Sequence, residues 1–298
     1  MSYARALTPE AAFRRYEEVR ERLPEAGFPA ETRNCGGLLE IADEVDAFVL
    51  DSFGVLNVGG TAIPGAVACL AELRARGKRL IVLTNAASYP LADAMRKYAR
   101  LGFSFSEDDV VSSRDVAVAR IEALAPGATW GAIAAPGDGF EDIAADVRHW
   151  DGRACDGFLM LSSVAMTDGL LHDLEASLRE RPRPLVIANP DLVAPRETGL
   201  SLEPGYYAHL LADRLGLQPA FFGKPYGDAF ADAFARLGGI PPERIAMVGD
   251  TLHTDILGGR AAGARTVLVR DHGLFAGRDT RPFIEASGIV PDFSCASI

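Results

Sequence analysis

The sequence predicts an α/β protein built on a doubly wound, Rossmann-like parallel sheet, with a second α/β domain inserted into it. Three observations predict this. Short apolar runs alternate with stretches of helical periodicity, the pattern of strands buried on both faces by crossover helices. Several of these runs stop at polar residues, and the carboxyl ends of parallel strands are where open α/β sheets place their sites. The middle of the chain differs in texture, with Pro- and Gly-rich joints between further strand-like runs.

Thr8-Pro9-Glu10 opens a helix that runs to Arg22. Thr8 is its cap, Pro9 takes the first position, and Phe13, Tyr16, Val19 and Leu23 are spaced for one apolar face before Pro24 ends it. Residues 1–45 are thus expected to form a helical extension packed on the core. Ala47-Phe48-Val49-Leu50 is a buried strand delivering Asp51. Pro64 to Arg76 reads as a helix closed by Gly77, and Arg79 to Asn85 as the next strand. Near the C-terminus, Arg244 to Asp250 is a third strand, followed by a Thr254-capped helix and a fourth strand from Arg265 to Val269. Residues 46–87 and 206–298 therefore form the core. Residues 88–205, with the joints Ala135-Pro136-Gly137-Asp138-Gly139 and Arg181-Pro182-Arg183-Pro184 and the runs Gly157–Leu161 and Leu185–Ala188, form the insertion.

The 298 residues carry 30 Lys plus Arg against 41 Asp plus Glu, a net charge of −11 that argues against nonspecific binding to nucleic acid or anionic membranes. An anionic substrate must then meet a metal or local positive charge. No signal-peptide core opens the chain and no apolar run reaches membrane-spanning length, so the expected location is cytoplasmic. Cys35, Cys69, Cys155 and Cys295 lie too far apart for a zinc site and read as reduced, mostly buried thiols.

Four signals carry chemistry: Asp51-Ser52-Phe53-Gly54, Leu83-Thr84-Asn85, Gly223-Lys224-Pro225, and Gly249-Asp250 with Thr254-Asp255. Carboxylates gathered at neighbouring strand ends repel one another and an incoming phosphate unless a divalent cation and a lysine neutralise them. Hard oxygen ligands with few His or Cys point to Mg²⁺. In this reading Asp51 attacks phosphorus, Thr84, Asn85 and Lys224 hold the remaining phosphoryl oxygens, and Asp250 and Asp255 hold the ion. His253 reads as a solvated or capping group rather than a catalytic one.

In their order and strand context these residues resemble the four motifs of the haloacid dehalogenase superfamily: a nucleophilic Asp, a Thr or Ser, a Lys and an acidic metal-binding pair. Gly249-Asp250 with Thr254-Asp255-Ile256-Leu257-Gly258-Gly259, and the size of the insertion, are similar to subclass IIA, whose members include phosphatases of sugar phosphates, nucleotides, 4-nitrophenyl phosphate and pyridoxal phosphate. The resemblance implies that the insertion is a cap, that the metal ligands are Asp51, the Phe53 carbonyl, Asp250 and Asp255, and that a homodimer forms through the cap. Ser52, Phe53, Gly54 and Pro225 beside the motif residues, and Asn189 and Asp191 in the Asn189-Pro190-Asp191 loop of the cap, are expected to contact substrate.

One position departs from the pattern. The first motif of the family is D-x-D, and its second Asp, the general acid/base, is replaced here by Phe53. The carbonyl survives, whereas protonation of the leaving group has no assigned residue, so esters with good aryl leaving groups are expected to be favoured over alkyl ones. The sequence thus implies an Mg²⁺-dependent phosphatase of small phosphate monoesters. Two alternatives stay open: a catalytically impaired protein that binds a phosphorylated metabolite, and a C–halogen hydrolase, since haloacid dehalogenases also carry an aromatic residue at this position.

Overall fold

A computed structural model describes residues 7–196 and 199–298. Two sheets organise it. The larger contains β1 (Arg33–Asn34), β2 (Ala47–Leu50), β3 (Arg79–Thr84), β4 (Val110–Ser112), β10 (Ile245–Gly249), β11 (Arg265–Val269) and β12 (Phe293–Cys295), in the order β1-β12-β11-β10-β2-β3-β4 with all pairs parallel. The smaller contains β5 (Thr129–Ile133), β6 (Asp146–His149), β7 (Gly157–Met160), β8 (Leu185–Ile187) and β9 (Ala220–Phe221), also all parallel, in the order β9-β8-β7-β5-β6.

The helices used below are α1 (Pro9–Glu18), α2 (Ala66–Ala75), α3 (Leu91–Arg100), α4 (Ser113–Leu124), α5 (Pro204–Leu215) and α6 (Gly227–Ala235). Strand β2 is buried at all four positions, and its side chains alternate between two cores. Phe48 and Leu50 join Leu70 and Leu73 of α2 and Tyr98 of α3, whereas Ala47 and Val49 join Val116, Ala117 and Ile121 of α4 and Phe230 and Ala233 of α6. This two-sided cover is why the strand reads as a continuous apolar run.

The sheets divide the chain differently from the expected 88–205 insertion. Strand β4 lies inside that range but pairs with β3 of the larger sheet, while β9 lies beyond it but pairs with β8 of the smaller. Sheet membership depends on which edge a strand meets, and a two- or three-residue strand leaves no periodicity that records this. Residues 1–45 also give more than a helix, because β1 closes one edge of the larger sheet. The α-helix itself ends at Glu18, with a 3₁₀ turn at Arg20–Arg22, and Thr8 caps it through the Ala11 amide at 3.2 Å. Thr254 is no helix cap. It lies within a π-helical turn, Leu252–Ile256, that precedes a short helix at Leu257–Ala261. The four cysteines are free thiols, Cys35 half-buried and the others buried. No helix among the described residues is long and apolar enough to cross a membrane.

A buried ion cluster ties the two sheets together. Arg114 of α4, fully buried, donates to both oxygens of Asp138 at 2.6 and 2.9 Å and both oxygens of Asp142 at 2.7 Å, on the loop between β5 and β6. Its Nη1 also donates to the Ala87 carbonyl just after β3. Every guanidinium nitrogen is satisfied, the condition under which a buried charge is tolerated. Arg114→Met keeps the apolar stem and strands Asp138, whose side chain is 2% exposed. We expect it to lose roughly 3–5 kcal/mol in urea unfolding; a loss under about 1 kcal/mol would show that the cluster does not hold the sheets together.

Candidate active site

The polar ends of β2, β3 and β10 meet at one edge of the larger sheet because these strands are parallel neighbours. Asp51 follows β2, with its amide bonded to the Val248 carbonyl of β10 at 2.9 Å. Asp250 follows β10, and Asp255 comes from the π-helical turn beyond it. One oxygen from each of the three lies within 4.8 Å of the others. Lys224, 1% exposed, enters from the loop after β9 and places Nζ 2.7 Å from both Asp51 and Asp255.

The remaining bonds orient these carboxylates. Asp51 Oδ1 accepts from the Ser52 amide at 2.7 Å, Asp255 Oδ2 from the Thr251 amide at 3.0 Å, and Asp250 Oδ2 from the Leu274 amide at 2.6 Å. Burial raises both Asp250 and Asp255. It pushes the Asp250 carboxyl far above the ordinary range, with Asp255 and Asp51 acting in the same direction, and raises Asp255 to about 6 against the pull of Lys224. Burial alone would lower the Lys224 ammonium, but Asp255, Asp51 and Asp191 outweigh it and hold the ammonium charged.

Two glycines make this crowding possible. Gly54 has φ +83°, and a Cβ there would sit 2.8 Å from the Asp250 carboxyl carbon; at Gly249 a Cβ would overlap the Asp255 carboxyl. Between them they explain why the first and fourth motifs carry Gly beside the acids.

Asn85 is a cross-link. Its Oδ1 accepts from the Lys224 amide at 2.7 Å, and its Nδ2 donates to the Lys224 carbonyl at 2.9 Å and to Asp191 Oδ1 at 2.8 Å. The Thr84 hydroxyl accepts from the Ala86 amide at 3.2 Å. The cavity above these groups is lined by Asp51, Phe53, Thr84, Asn85, Asp250 and Thr254 from the larger sheet and by Asn189, Asp191 and Arg196 from the other side.

Not every expected contact residue reaches this cavity. Ser52 is buried and turns inward, donating to Asn57 Oδ1 at 2.9 Å and accepting from the Tyr98 hydroxyl at 3.0 Å, so it shapes the loop after Asp51. Gly54 gives room to Asp250, and Pro225 packs on the helix at Gly258. Neither lines the cavity. Asn189 does, although its side-chain amide is engaged by Glu203 at 3.2 Å and its Oδ1 by the Asp191 amide at 3.0 Å. The Phe53 ring faces the cavity with Lys97 Nζ 3.9 Å from its centroid and the Arg196 guanidinium at 6.0 Å.

His253 is buried rather than solvated. It is bonded to Glu17 and stacked on Tyr16 at 4.8 Å, so its ring points into α1 and away from the cavity. The sequence also missed the Leu274 amide and the Tyr16 hydroxyl, which accepts from the Leu192 amide at 3.1 Å. Backbone donors and helix residues that act across about 180 positions leave no local signal.

Known proteins share this fold. The haloacid dehalogenase-like hydrolase family matches residues 48–147, and the related HAD-hydrolase-like family residues 221–296. Glycerol-3-phosphate phosphatase of Gallus gallus is 30% identical over 282 residues, covering 85% of this chain and 90% of that protein. The D-glycerol 3-phosphate phosphatase of Mycobacterium tuberculosis is 32% identical over 237 residues, 77% of this chain, which spans 64% of that protein. A crystal structure of glycerol phosphate phosphatase from the same organism in complex with magnesium aligns with a TM-score of 0.64 and 29% identity over 78% of this chain and 70% of that one. A possible sugar phosphatase of the HAD superfamily from Cytophaga hutchinsonii aligns with a TM-score of 0.79 and 26% identity over 89% of this chain and 98% of that one. The chain belongs to the haloacid dehalogenase-like hydrolases.

Gly54→Ala adds a side chain in the left-handed region and against Asp250. We expect it to lower stability by roughly 1–3 kcal/mol in urea unfolding. Wild-type stability would show that the loop after Asp51 has room the geometry denies it.

Proposed function

We propose that this chain is a magnesium-dependent phosphatase of small phosphate monoesters, with Asp51 as the nucleophile. The observation that carries the reading is the buried Lys224 ammonium held 2.7 Å from both Asp51 and Asp255, with Asp250 completing a set of three carboxylates. Three such groups against one lysine leave a formal excess of two negative charges, which a divalent cation matches. The donors are hard oxygens, the ligand type Mg²⁺ prefers. Asp51, Asp250 and the Phe53 carbonyl would hold it, with Asp255 held back by Lys224 and reaching it directly or through water. When bound, the ion supplies charge neutralisation that lets a phosphoryl group approach the carboxylates.

The protein's own groups do the rest. Lys224 pairs with Asp51 at 2.7 Å and presents a positive charge to a phosphoryl oxygen. An Asp51 oxygen forms the bond to phosphorus and the ester oxygen leaves, giving an aspartyl-phosphate that water then hydrolyses. Thr84 at the cavity wall holds a further phosphoryl oxygen. Asn85 fixes Lys224 and the cap loop relative to Asp51. Arg196, on the opposite wall, faces the organic part of the ester, so the substrate class follows from its charge: small, hydroxylated or anionic esters such as glycerol or sugar phosphates, in keeping with what the relatives' names describe. Retention of Asp250 with Asp255 supports phosphoryl chemistry over C–halogen cleavage, which needs no divalent ion.

Magnesium should raise the melting temperature of the wild type, and Asp250→Asn should abolish that shift. Binding requires the carboxyls to lose protons, and burial raises Asp255 to about 6 and Asp250 further, so the shift should grow as pH rises and fade below about 6. A pH-independent shift, or one retained in Asp250→Asn, would count against this ligand set. Asp51→Asn should retain the fold by circular dichroism and lose at least about 10³-fold in ester hydrolysis; turnover in the pure variant would remove Asp51 from the role of nucleophile.

A further inference from the structure

Phe53 leaves the leaving oxygen without the proton donor that the rest of the motif implies, and the cavity wall opposite Asp51 holds a candidate. Among the described residues, the carboxyls lining the cavity besides Asp51 and Asp250 are Asp191 and Glu203. Glu203 is committed: it accepts from Arg196 Nη2 at 2.9 Å, Ser201 Oγ at 2.5 Å and Asn189 Nδ2 at 3.2 Å. Lys97 sits against the Phe53 ring and does not line the cavity, and His253 faces α1. Asp191 has one oxygen fixed by Asn85 Nδ2 at 2.8 Å, and no described residue donates to its second oxygen.

We propose that Asp191 is the general acid/base of this enzyme, supplied from the cap loop in place of the carboxylate missing at Phe53. The inference rests on the phosphatase reading above. As the Asp51 oxygen bonds to phosphorus and the phosphorus–oxygen bond to the alcohol breaks, the electron pair passes to the leaving oxygen, which takes the Asp191 proton and departs as the neutral alcohol. Asp191, now a carboxylate, takes a proton from the water that attacks the aspartyl-phosphate. The Asp51–phosphorus bond breaks, phosphate leaves, and Asp191 is again protonated.

The loop is held in place for such a task. The Asp191 amide is bonded to Asn189 Oδ1 at 3.0 Å, the Leu192 amide to the Tyr16 hydroxyl at 3.1 Å, and Gly205 at the start of α5 lets the Pro190 and Asp191 carbonyls approach closer than any Cβ would permit. Asn85 bonds both Asp191 and the backbone of Lys224, so the donor, the lysine and Asp51 share one rigid frame. Burial favours the acid form of Asp191 and raises its carboxyl to about 8; Lys224, from the loop after β9, and the Asn85 hydrogen bond oppose this, and Asp51 after β2 and Asp255 after β10 reinforce it.

The test is Asp191→Asn, which keeps the shape and can still accept from Asn85. Rates are measured with magnesium on glycerol 3-phosphate, whose alkoxide needs a proton to leave, and on 4-nitrophenyl phosphate, whose phenolate does not. The variant should lose about 10²–10⁴-fold in kcat on the alkyl ester, far less on the aryl ester, with KM and the magnesium-induced thermal shift near wild type. Asp191→Glu should recover part of the alkyl activity. Equal losses on both esters, or a raised KM with kcat unchanged, would make Asp191 a structural or binding residue and overturn the proposal. If the wild type hydrolyses neither ester, the phosphatase reading falls first and this one with it. A wild type active on both, with Asp191→Asn unaltered, overturns this inference alone.

Discussion

Lys224 holds one ammonium at 2.7 Å from two carboxylates that protein surrounds on nearly every side. Removing such charges from water costs several kcal/mol per ion, and the cost is offset only where geometry and hydrogen bonds leave no lone pair unused. Much of the architecture serves that condition. Parallel pairing of β2 with β10 brings Asp51 beside Asp250, the Thr251 and Leu274 amides take up the outer oxygens, and Asn85 grips Lys224 by both its backbone groups. Gly54 and Gly249 are the positions where a single methyl group would break the arrangement. Burial, with Asp255 and Asp51 close by, pushes the Asp250 carboxyl upward, and a cation among the three acids would oppose that shift.

The second sheet is coupled to that centre at two levels. Arg114 with Asp138 and Asp142 fixes the β5–β6 loop to α4, beside β3. The N-terminal helix works on the opposite flank. Arg15 and Arg22 pair with Asp213 of α5, the Tyr16 hydroxyl accepts from the loop that bears Asp191, and Glu17 engages His253 next to Thr254. Individual exposed pairs of this kind contribute little, but Tyr16 is buried and packs with Leu192, Leu252 and Ile256, so the helix covers apolar surface from both sides of the cavity.

The strands of the larger sheet were legible because burial on both faces leaves apolar runs that end at polar residues. Asp51, Thr84, Asn85, Lys224, Asp250 and Asp255 were legible for the same reason: each stands at or near a strand end or in a Gly-marked loop, and the structure gathers all six. What was not legible has a common cause. The membership of β4 and β9 is decided by sheet edges met across the fold, and the inward turn of Ser52 by Tyr98 and Asn57. His253 was taken for a solvated residue because nothing near it in sequence announces Glu17 and Tyr16, more than 230 positions away. Asn85 was read for its charge-holding ability, while its geometry makes it the joint between three loops.

Phe53 gives the sharpest contrast between the two levels. In the sequence it is a missing carboxylate. In the structure its ring closes one wall of the cavity against Lys97, and the opposite wall bears the carboxyl of Asp191. The central claim, that the Lys224-centred cluster prepares Asp51 to attack phosphorus, is tested most directly by acid-quenching the enzyme during turnover of 4-nitrophenyl phosphate with magnesium and mapping its peptides by mass spectrometry. The account predicts the mass of one phosphoryl group on the peptide containing Asp51, absent from Asp51→Asn. A phosphoryl group on another residue, or turnover with no modified peptide under conditions that preserve acyl phosphates, would contradict it.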